Sequence, residues 1–311
     1  MKVLVTGATG FVGGAVVREC RRVGFAVRAA VRKVPASVWP GVEVTVVGSI
    51  DSETPWRDAL SGVDGVIHLA ARVHILRESH PNPWHAFREV NVAGTKRLAE
   101  ACGVSRRFVY MSTIGVHGRA HGGEAITEAT PLRPVSAYAR SKAVAETELG
   151  ELSASGRLDH VSLRPPLVYG PDAPGNISTL KRWIDRGWPL PFGSVQNRRS
   201  LIGVDHLARC VIAALRTPRA AHRSYCVADE EVVSTKDIVA AIASARRVRP
   251  RLWAVPVPLL RFAGRVTGRS EAVSGTTDSL VVDSRLFRSE FGRCQPVPTL
   301  VGIRQAYESA Q

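Results

Sequence analysis

The sequence predicts an α/β fold built on a doubly wound parallel sheet, with a smaller mixed unit toward the C-terminus. Three observations carry this expectation. Short apolar runs alternate with helical patterns from residue 2 to about 170, and a glycine-rich turn joins the first run to the first helix. Beyond residue 170 the pattern changes, with Pro171, Pro174, Pro189 and Pro191 shortening the helices. Strand–helix alternation forces parallel pairing, because each strand returns by a crossover that covers one face of the sheet. A chain of 311 residues that is 45% hydrophobic can bury a large core.

The elements follow in order. KVLVTG reads as a strand, and GFVGGAVVRECRRVG as a helix closed by Gly24. FAVRAAV, VEVTVVG and DGVIHLAA are the second, third and fourth strands. WHAFREVNVAGTKRLAEACG is a long helix, RFVYMST a fifth strand, SAYARSKAVAETELGELSA another long helix, and HVSLRPPLVYG a sixth strand. RSYCVADE returns a further strand to the sheet. Residues 1–165 are therefore expected to form the first domain and 166–311 mainly a second, with a segment near 201–228 rejoining the first. RLWAVPVPLLRFAGRV, at 251–266, is apolar and broken by Pro256 and Pro258. It reads as a second-domain helix packed on the core, with contact to a membrane surface as the alternative.

Composition excludes several classes. The net charge of +15 comes mostly from arginine, since only six lysines are present, and it is spread without a long basic run or aromatic-interleaved tract. Nucleic-acid binding is not expected, whereas a basic pocket for a phosphorylated or nucleotide-linked small molecule is. Cys20, Cys102, Cys210, Cys226 and Cys294 are scattered with no C-x-x-C pair, which predicts free thiols in a reducing cytoplasm and no metal site. No apolar run is long enough to span a bilayer, and the N-terminal pattern is not that of a signal peptide.

The first strand runs into Gly7, Gly10 and Gly13 in a G-x-x-G-x-x-G spacing. Gly7 permits a tight turn, Gly10 lets the backbone approach a pyrophosphate, and Gly13 lets helix and strand pack closely. With Phe11 and Val12 they present main-chain N–H groups at a helix N-terminus, where a dinucleotide phosphate binds. A ribose-binding acid is expected at the end of the second strand, but Val31 stands there, followed by Arg32 and Lys33. An arginine in place of a carboxylate favours the 2′-phosphate of NADP(H) over NAD(H), although both cations also suit a solvated turn.

Tyr138 and Lys142 lie one helical turn apart on one face. A phenol near its usual pKa of about 10 is a poor base at neutral pH. A lysine ammonium and an oxidised nicotinamide nearby both stabilise the phenolate; one unit charge about 4 Å away is worth roughly 4 kcal/mol, enough to bring the phenol into the range of general acid–base work. A hydroxyl is needed beside it, and Ser112 and Thr113 end the fifth strand at the edge where such sheets bind ligands.

These motifs resemble the extended short-chain dehydrogenase/reductase family, and within it the nucleotide-sugar epimerases, dehydratases and 4-reductases. The resemblance spans the chain through TGATGFVG, His68-Leu69-Ala70-Ala71, Asn91-Val92-Ala93-Gly94-Thr95, the Ser-Thr pair, Tyr138-Ala139-Arg140-Ser141-Lys142 and Arg164-Pro165-Pro166-Leu167-Val168-Tyr169-Gly170-Pro171. It implies a Rossmann-type fold and catalysis by Thr113, Tyr138 and Lys142. It also implies cofactor contacts from Leu69, Ala70, Ala71, Tyr138, Lys142 and Pro165, and a sheet-holding role for Asn91. A homodimer through helices 87–102 and 138–152 is implied as well. Ser49-Ile50 stands where an Asp-Leu or Asp-Ile pair is expected near the adenine.

In the C-terminal part, Asn197-Arg198-Arg199-Ser200-Leu201-Ile202 resembles the segment that gives an arginine to the sugar-nucleotide diphosphate, selecting Arg199, with a structural ion pair as the alternative. Gly175-Asn176 resembles a second contact, so Asn176 joins Thr113, Tyr138 and Arg199 as substrate-binding. Arg72 and His74 are further candidates for the sugar pocket. The resulting expectation is reduction of a UDP-linked 4-keto-6-deoxy-N-acetylhexosamine for surface polysaccharides, with nucleotide-sugar 4-epimerization as the runner-up. A non-catalytic dinucleotide sensor would not need Tyr138 and Lys142, and a reductase of hydrophobic alcohols would not need Arg199.

Overall fold

In a computed structural model, residues 1–35, 39–73, 82–118, 123–217, 223–292 and 294–308 are described. The strands are β1 (Lys2–Thr6), β2 (Ala26–Val31), β3 (Glu43–Val46), β4 (Gly65–His68), β5 (Arg107–Met111), β6 (Ala125–Ile126), β7 (Asp159–Arg164), β8 (Leu167–Tyr169), β9 (Leu201–Gly203), β10 (Arg223–Cys226) and β11 (Val281–Val282). The α-helices begin with α1 (Phe11–Arg22), α2 (Arg57–Leu60), α3 (Pro83–Arg88), α4 (Gly94–Cys102), α5 (Ala137–Ala154) and α6 (Asn176–Asp185). They continue with α7 (Val204–Arg216), α8 (Thr235–Ala245), α9 (Val257–Val266), α10 (Ser270–Thr277), α11 (Arg285–Phe291) and α12 (Thr299–Tyr307).

Seven strands form one sheet in the order β10-β7-β5-β4-β1-β2-β3, with every pairing parallel. This is the doubly wound sheet of a Rossmann-type fold, and the strand order reverses beside β1. Alternation along β1 shows how the sheet is covered. Val3 and Val5 join the cluster under α1 and α7, with Val16, Leu207 and Val211. Leu4, one residue out of phase, joins Val66, Leu98, Phe108 and Leu149 under α4 and α5 on the other face. A third cluster, including Ile177, Ile238, Ile242 and Ile303, packs α6, α8 and α12 together. Phe11 touches both this cluster and the first, and its ring occupies the space a Cβ would take at Gly170.

The structure departs from the sequence expectations in several places. The sixth strand ends at Arg164, because Pro165 and Pro166 break it. Its remainder, β8, pairs with β9 in a separate two-stranded sheet. The expected long helix near 84–103 is interrupted by a π-helical turn at Glu89–Ala93. In keeping with the reading of RSYCVADE, β10 does return to the large sheet, at its edge beside β7. Arg28 is a buried cation in the middle of β2, made tolerable by Glu43 at 2.7 Å and by the carbonyls of Asp58, Ala59 and Ser61 at the end of α2. Among the described residues no helix is long and apolar enough to cross a membrane.

Candidate active site

All seven strands of the large sheet are parallel, so the turns after β1, β2, β4, β5 and β7 leave from one edge. Gly7, Arg32, Leu69, Thr113 and Pro165 therefore come to the same side of the molecule, flanking the strand-order reversal between β1 and β4.

The glycine turn is shaped by close approach. Gly7 has φ +67, and a Cβ there would lie 2.7 Å from the Ala70 nitrogen; one at Gly13 would lie 2.0 Å from the Gly7 carbonyl oxygen. Gly10 precedes α1 and gives no side-chain cap, so the first N–H groups of the 12-residue helix face outward without a side-chain acceptor. A bare, glycine-cleared helix N-terminus fits a dinucleotide pyrophosphate. The Ala70 N–H is held by Thr6 Oγ1 at 3.1 Å, which fixes the Leu69–Ala71 segment against the turn. His68 beneath it is fully buried between Thr6 Oγ1 at 2.7 Å and Thr95 Oγ1 at 2.9 Å. Burial, reinforced by the Lys142 charge, holds its imidazole down at about 3, so it is a neutral structural bridge. Val31 ends β2 buried, and Arg32 and Lys33 beyond it are exposed. Ser49 is exposed, and its carbonyl accepts from Thr54 Oγ1 at 3.0 Å, while Ile50 packs on the core.

Tyr138 and Lys142 lie in the first turns of α5, whose N-terminus is capped by Ser136 Oγ accepting from the Ala139 N–H at 3.1 Å. Lys142 is buried; its Nζ donates to the Met111 carbonyl at 2.8 Å, 4.6 Å from the Tyr110 ring centroid. Desolvation brings the ammonium down to about 7, opposed by the Glu146 carboxylate. The ammonium is 6.0 Å from the Tyr138 ring centroid, and burial pushes the phenol up to about 12. The lysine neighbour alone does not lower this phenol. The ammonium is engaged by a strand-end carbonyl instead, and desolvation of the phenolate dominates. Thr113 starts the turn after β5, its Oγ1 accepting from the Gly115 N–H at 3.2 Å.

Asn91 sits inside the π-turn and is buried. Its Oδ1 accepts from the Arg72 N–H at 2.7 Å, while Nδ2 donates to the Arg72 carbonyl at 3.0 Å and to Ser141 Oγ at 2.9 Å. Ser141 Oγ in turn donates to the Tyr138 carbonyl at 2.7 Å. One side chain thus ties the segment after β4 to the helix carrying Tyr138, and the π-turn gives it the register to do so.

Thr113, Tyr138, Asn176 and Arg199 line one cleft of about 460 Å³, together with Ser136 and the α10 residues Ala272, Ser274 and Gly275. A cavity of about 520 Å³ around α6 contains none of the predicted residues. Arg199 is half-buried, its Nη1 donating to the Gly275 carbonyl at 2.5 Å and the Asp278 carbonyl at 3.3 Å. Main-chain carbonyls position it, and among the described residues no carboxylate forms an ion pair with it. Asn176 is exposed at the start of α6. Arg72 is half-buried with its guanidinium 5.7 Å from the Phe87 ring, and His74 lies outside the described residues. Residue patterns did not single out Asn197. It is buried, donating to Thr235 Oγ1 and to the Thr276 and Asp278 carbonyls and accepting from the Thr235 N–H, and so braces the segment that carries Arg199. Its signal was present in NRRSLI, where an asparagine precedes the two arginines. Among the described residues no group of His, Cys, Asp and Glu could hold a metal ion.

Comparison with known proteins places this architecture. Residues 3–228 match the model of the NAD dependent epimerase/dehydratase family, and the chain belongs to that family. It is similar to a UDP-glucose 4-epimerase of Vibrio cholerae, 32% identical over 324 residues covering 99% of this chain and 94% of that protein. It is also similar to the N-acetyl-alpha-D-glucosaminyl-diphospho-ditrans,octacis-undecaprenol 4-epimerase of Escherichia coli O157:H7, at 26% identity over 88% of this chain and 82% of the relative. Among solved structures, the UDP-glucose 4-epimerase of Thermus thermophilus in complex with NAD superposes with a TM-score of 0.77, 26% identity and coverage of 99% and 98%.

Proposed function

We propose that this family member transfers hydride at C4 of a nucleotide-diphosphate sugar, reducing a UDP-linked 4-keto-6-deoxy-N-acetylhexosamine. The observation that carries the reading is the shared cleft, in which Thr113 and Tyr138 face the same space as Arg199 and Asn176. A bound nicotinamide dinucleotide would supply the hydride, held through Gly7, Gly10, Phe11, Val12, Gly13, Leu69, Ala70, Ala71, Lys142 and Pro165. Tyr138 Oη gives its proton to the sugar O4, Thr113 Oγ1 orients that oxygen, and Lys142 supports both the phenol and the ribose hydroxyls. Arg199 and Asn176 take the diphosphate, an anchor far from C4 that a simple alcohol would not engage. Residues 1–165 with α7 and β10 serve the dinucleotide, and the rest chiefly serves the sugar nucleotide. Arg32 favours NADP(H), and the surface of α4 and α5 is the dimer face.

A second reading, 4-epimerization, is favoured by the likeness over nearly the whole length to a UDP-glucose 4-epimerase. The two differ in dinucleotide retention. An epimerase returns its hydride to the same carbon and gains from holding NAD through every turnover, whereas a reductase must exchange its dinucleotide. Val31 offers the ribose no carboxylate, which suits exchange. Purified protein, denatured and assayed for released dinucleotide, is expected to contain well under one equivalent. Stoichiometric tightly bound NAD would reverse the preference.

A further inference from the structure

Helix α9 is apolar on two opposite sides. Its inner side is accounted for: Val257 and Leu260 pack on the third hydrophobic cluster, and Gly264 is pressed against α10 so closely that a Cβ there would meet Val273 Cγ2 at 2.7 Å. At about 100° per residue, Leu259, Phe262 and Val266 fall within roughly 60° of one another and point away from Gly264. They are 56%, 62% and 72% exposed, and Trp253 just before the helix is 62% exposed. Pro256, Pro258 and Ala263 extend this outward surface, all exposed. A core helix would bury one such stripe and set polar residues opposite it, so the expectation that this segment simply packs on the core accounts for only half of it.

The stretch of chain that carries this face holds charge of one sign, with Asp237 and Glu271 just outside it. From residue 238 to 270 the sequence holds seven arginines, at 246, 247, 249, 251, 261, 265 and 269, and no aspartate or glutamate. Arg246 and Arg261 reach acids outside that stretch, Asp185 and Asp278. Arg265 lies in the last turn of α9, on the flank of the apolar stripe. A second copy laid on this face would oppose one arginine cluster with another. An anionic lipid surface would neutralise the arginines and cover the aromatic and aliphatic side chains together.

We infer that the outer face of α9, with Trp253, docks this protein onto an anionic bilayer. The helix lies in the interface without crossing it, with Phe262, Leu259, Val266 and Trp253 below the headgroups and Arg265 among the phosphates. Helix α10, packed on the inner side of α9, lines the cleft through Ala272, Ser274 and Gly275. Docking therefore holds the cleft within one helix pair of the membrane.

Co-sedimentation of the full chain with vesicles of phosphatidylglycerol and phosphatidylethanolamine, and with vesicles of phosphatidylcholine alone, tests this. Binding is expected to the anionic vesicles, weaker to the neutral ones, and reduced by high salt. A Leu259→Glu/Phe262→Glu double variant should lower the partition coefficient by about tenfold or more, and Arg265→Glu should lower it less. Both should keep the wild-type unfolding temperature, since the altered side chains are exposed. Absence of binding by the wild type, equal binding to neutral vesicles, or unchanged binding by the double variant would overturn the inference. So would a wild-type dimer in vesicle-free solution that Phe262→Glu splits, which would assign the face to a second copy.

Discussion

The two walls of the cleft are built on different principles. On the β5–α5 wall every positioning contact is interior: Lys142 on the Met111 carbonyl, Ser141 on the Tyr138 carbonyl, and Asn91 gripping Arg72 and Ser141. On the opposite wall, Arg199 hangs from two carbonyls at the C-terminal end of α10, and Asn176 stands exposed at a helix start. The first wall is held by packing that the whole sheet supports. The second is held by a few hydrogen bonds at the rim, with Asn197 as its main brace. Rigid placement suits proton transfer, where small displacements are costly, and an adaptable rim suits the choice among sugar nucleotides.

Substitutions on the two walls should accordingly move different kinetic parameters. Tyr138→Phe is expected to lower turnover by about 10²–10⁴-fold with dinucleotide affinity nearly intact. Steady-state rates paired with calorimetric titration of NADPH would check this, and a variant with near-normal turnover would remove Tyr138 from the chemistry. The interior wall should also show in acid stability. His68 is neutral in the folded protein because its imidazole is held at about 3, against about 6.5 unfolded. Between these values the unfolded chain binds more protons, so the contribution is fully present above about pH 6.5 and is lost as pH falls toward 3. The loss is at most roughly 5 kcal/mol. Urea unfolding across that range should flatten by about one proton in His68→Asn, and an unchanged slope would mean that His68 is charged in the fold.

The rim should respond more gently. Arg199→Ala is expected to weaken UDP and UDP-sugars by roughly 10–100-fold, from the loss of a charge-assisted contact worth about 1.5–3 kcal/mol, while sparing NADPH. Unchanged affinity for nucleoside diphosphates would take Arg199 out of the site and revive the alcohol-reductase reading. Smallest of all, Arg32→Ala should cost NADPH about tenfold and leave NADH alone. Wild-type protein that binds both dinucleotides equally would make Arg32 and Lys33 a solvated turn.

How legible these regions were in the sequence follows the same division. The sheet could be read because period-2 strands and glycine clearances are local, as at Val3, Leu4 and Val5 or at Gly7 and Gly13. Tyr138 and Lys142 could be paired because four residues make one helical turn. Their electrostatics could not be read, because the Met111 carbonyl that takes the ammonium comes from a strand 31 residues away. The π-turn around Asn91 was hidden for a related reason: no local pattern distinguishes it from an α-helix, and it is explained only by the partners it meets. Pro165 and Pro166 carried a breaking signal that the apolar run around them masked. The outward face of α9 was hidden because an apolar helix reads as core unless its neighbours are known.

The central claim, hydride delivery to C4 in this cleft, is tested most directly by following the label from deuterated NADPH. Given a UDP-4-keto-6-deoxy-N-acetylhexosamine, the enzyme should oxidise one dinucleotide per sugar and leave one deuterium at C4 of the product, read by mass spectrometry and proton resonance. The contrary result is interconversion of saturated C4 epimers without added dinucleotide and without label at C4, which would make the protein an epimerase.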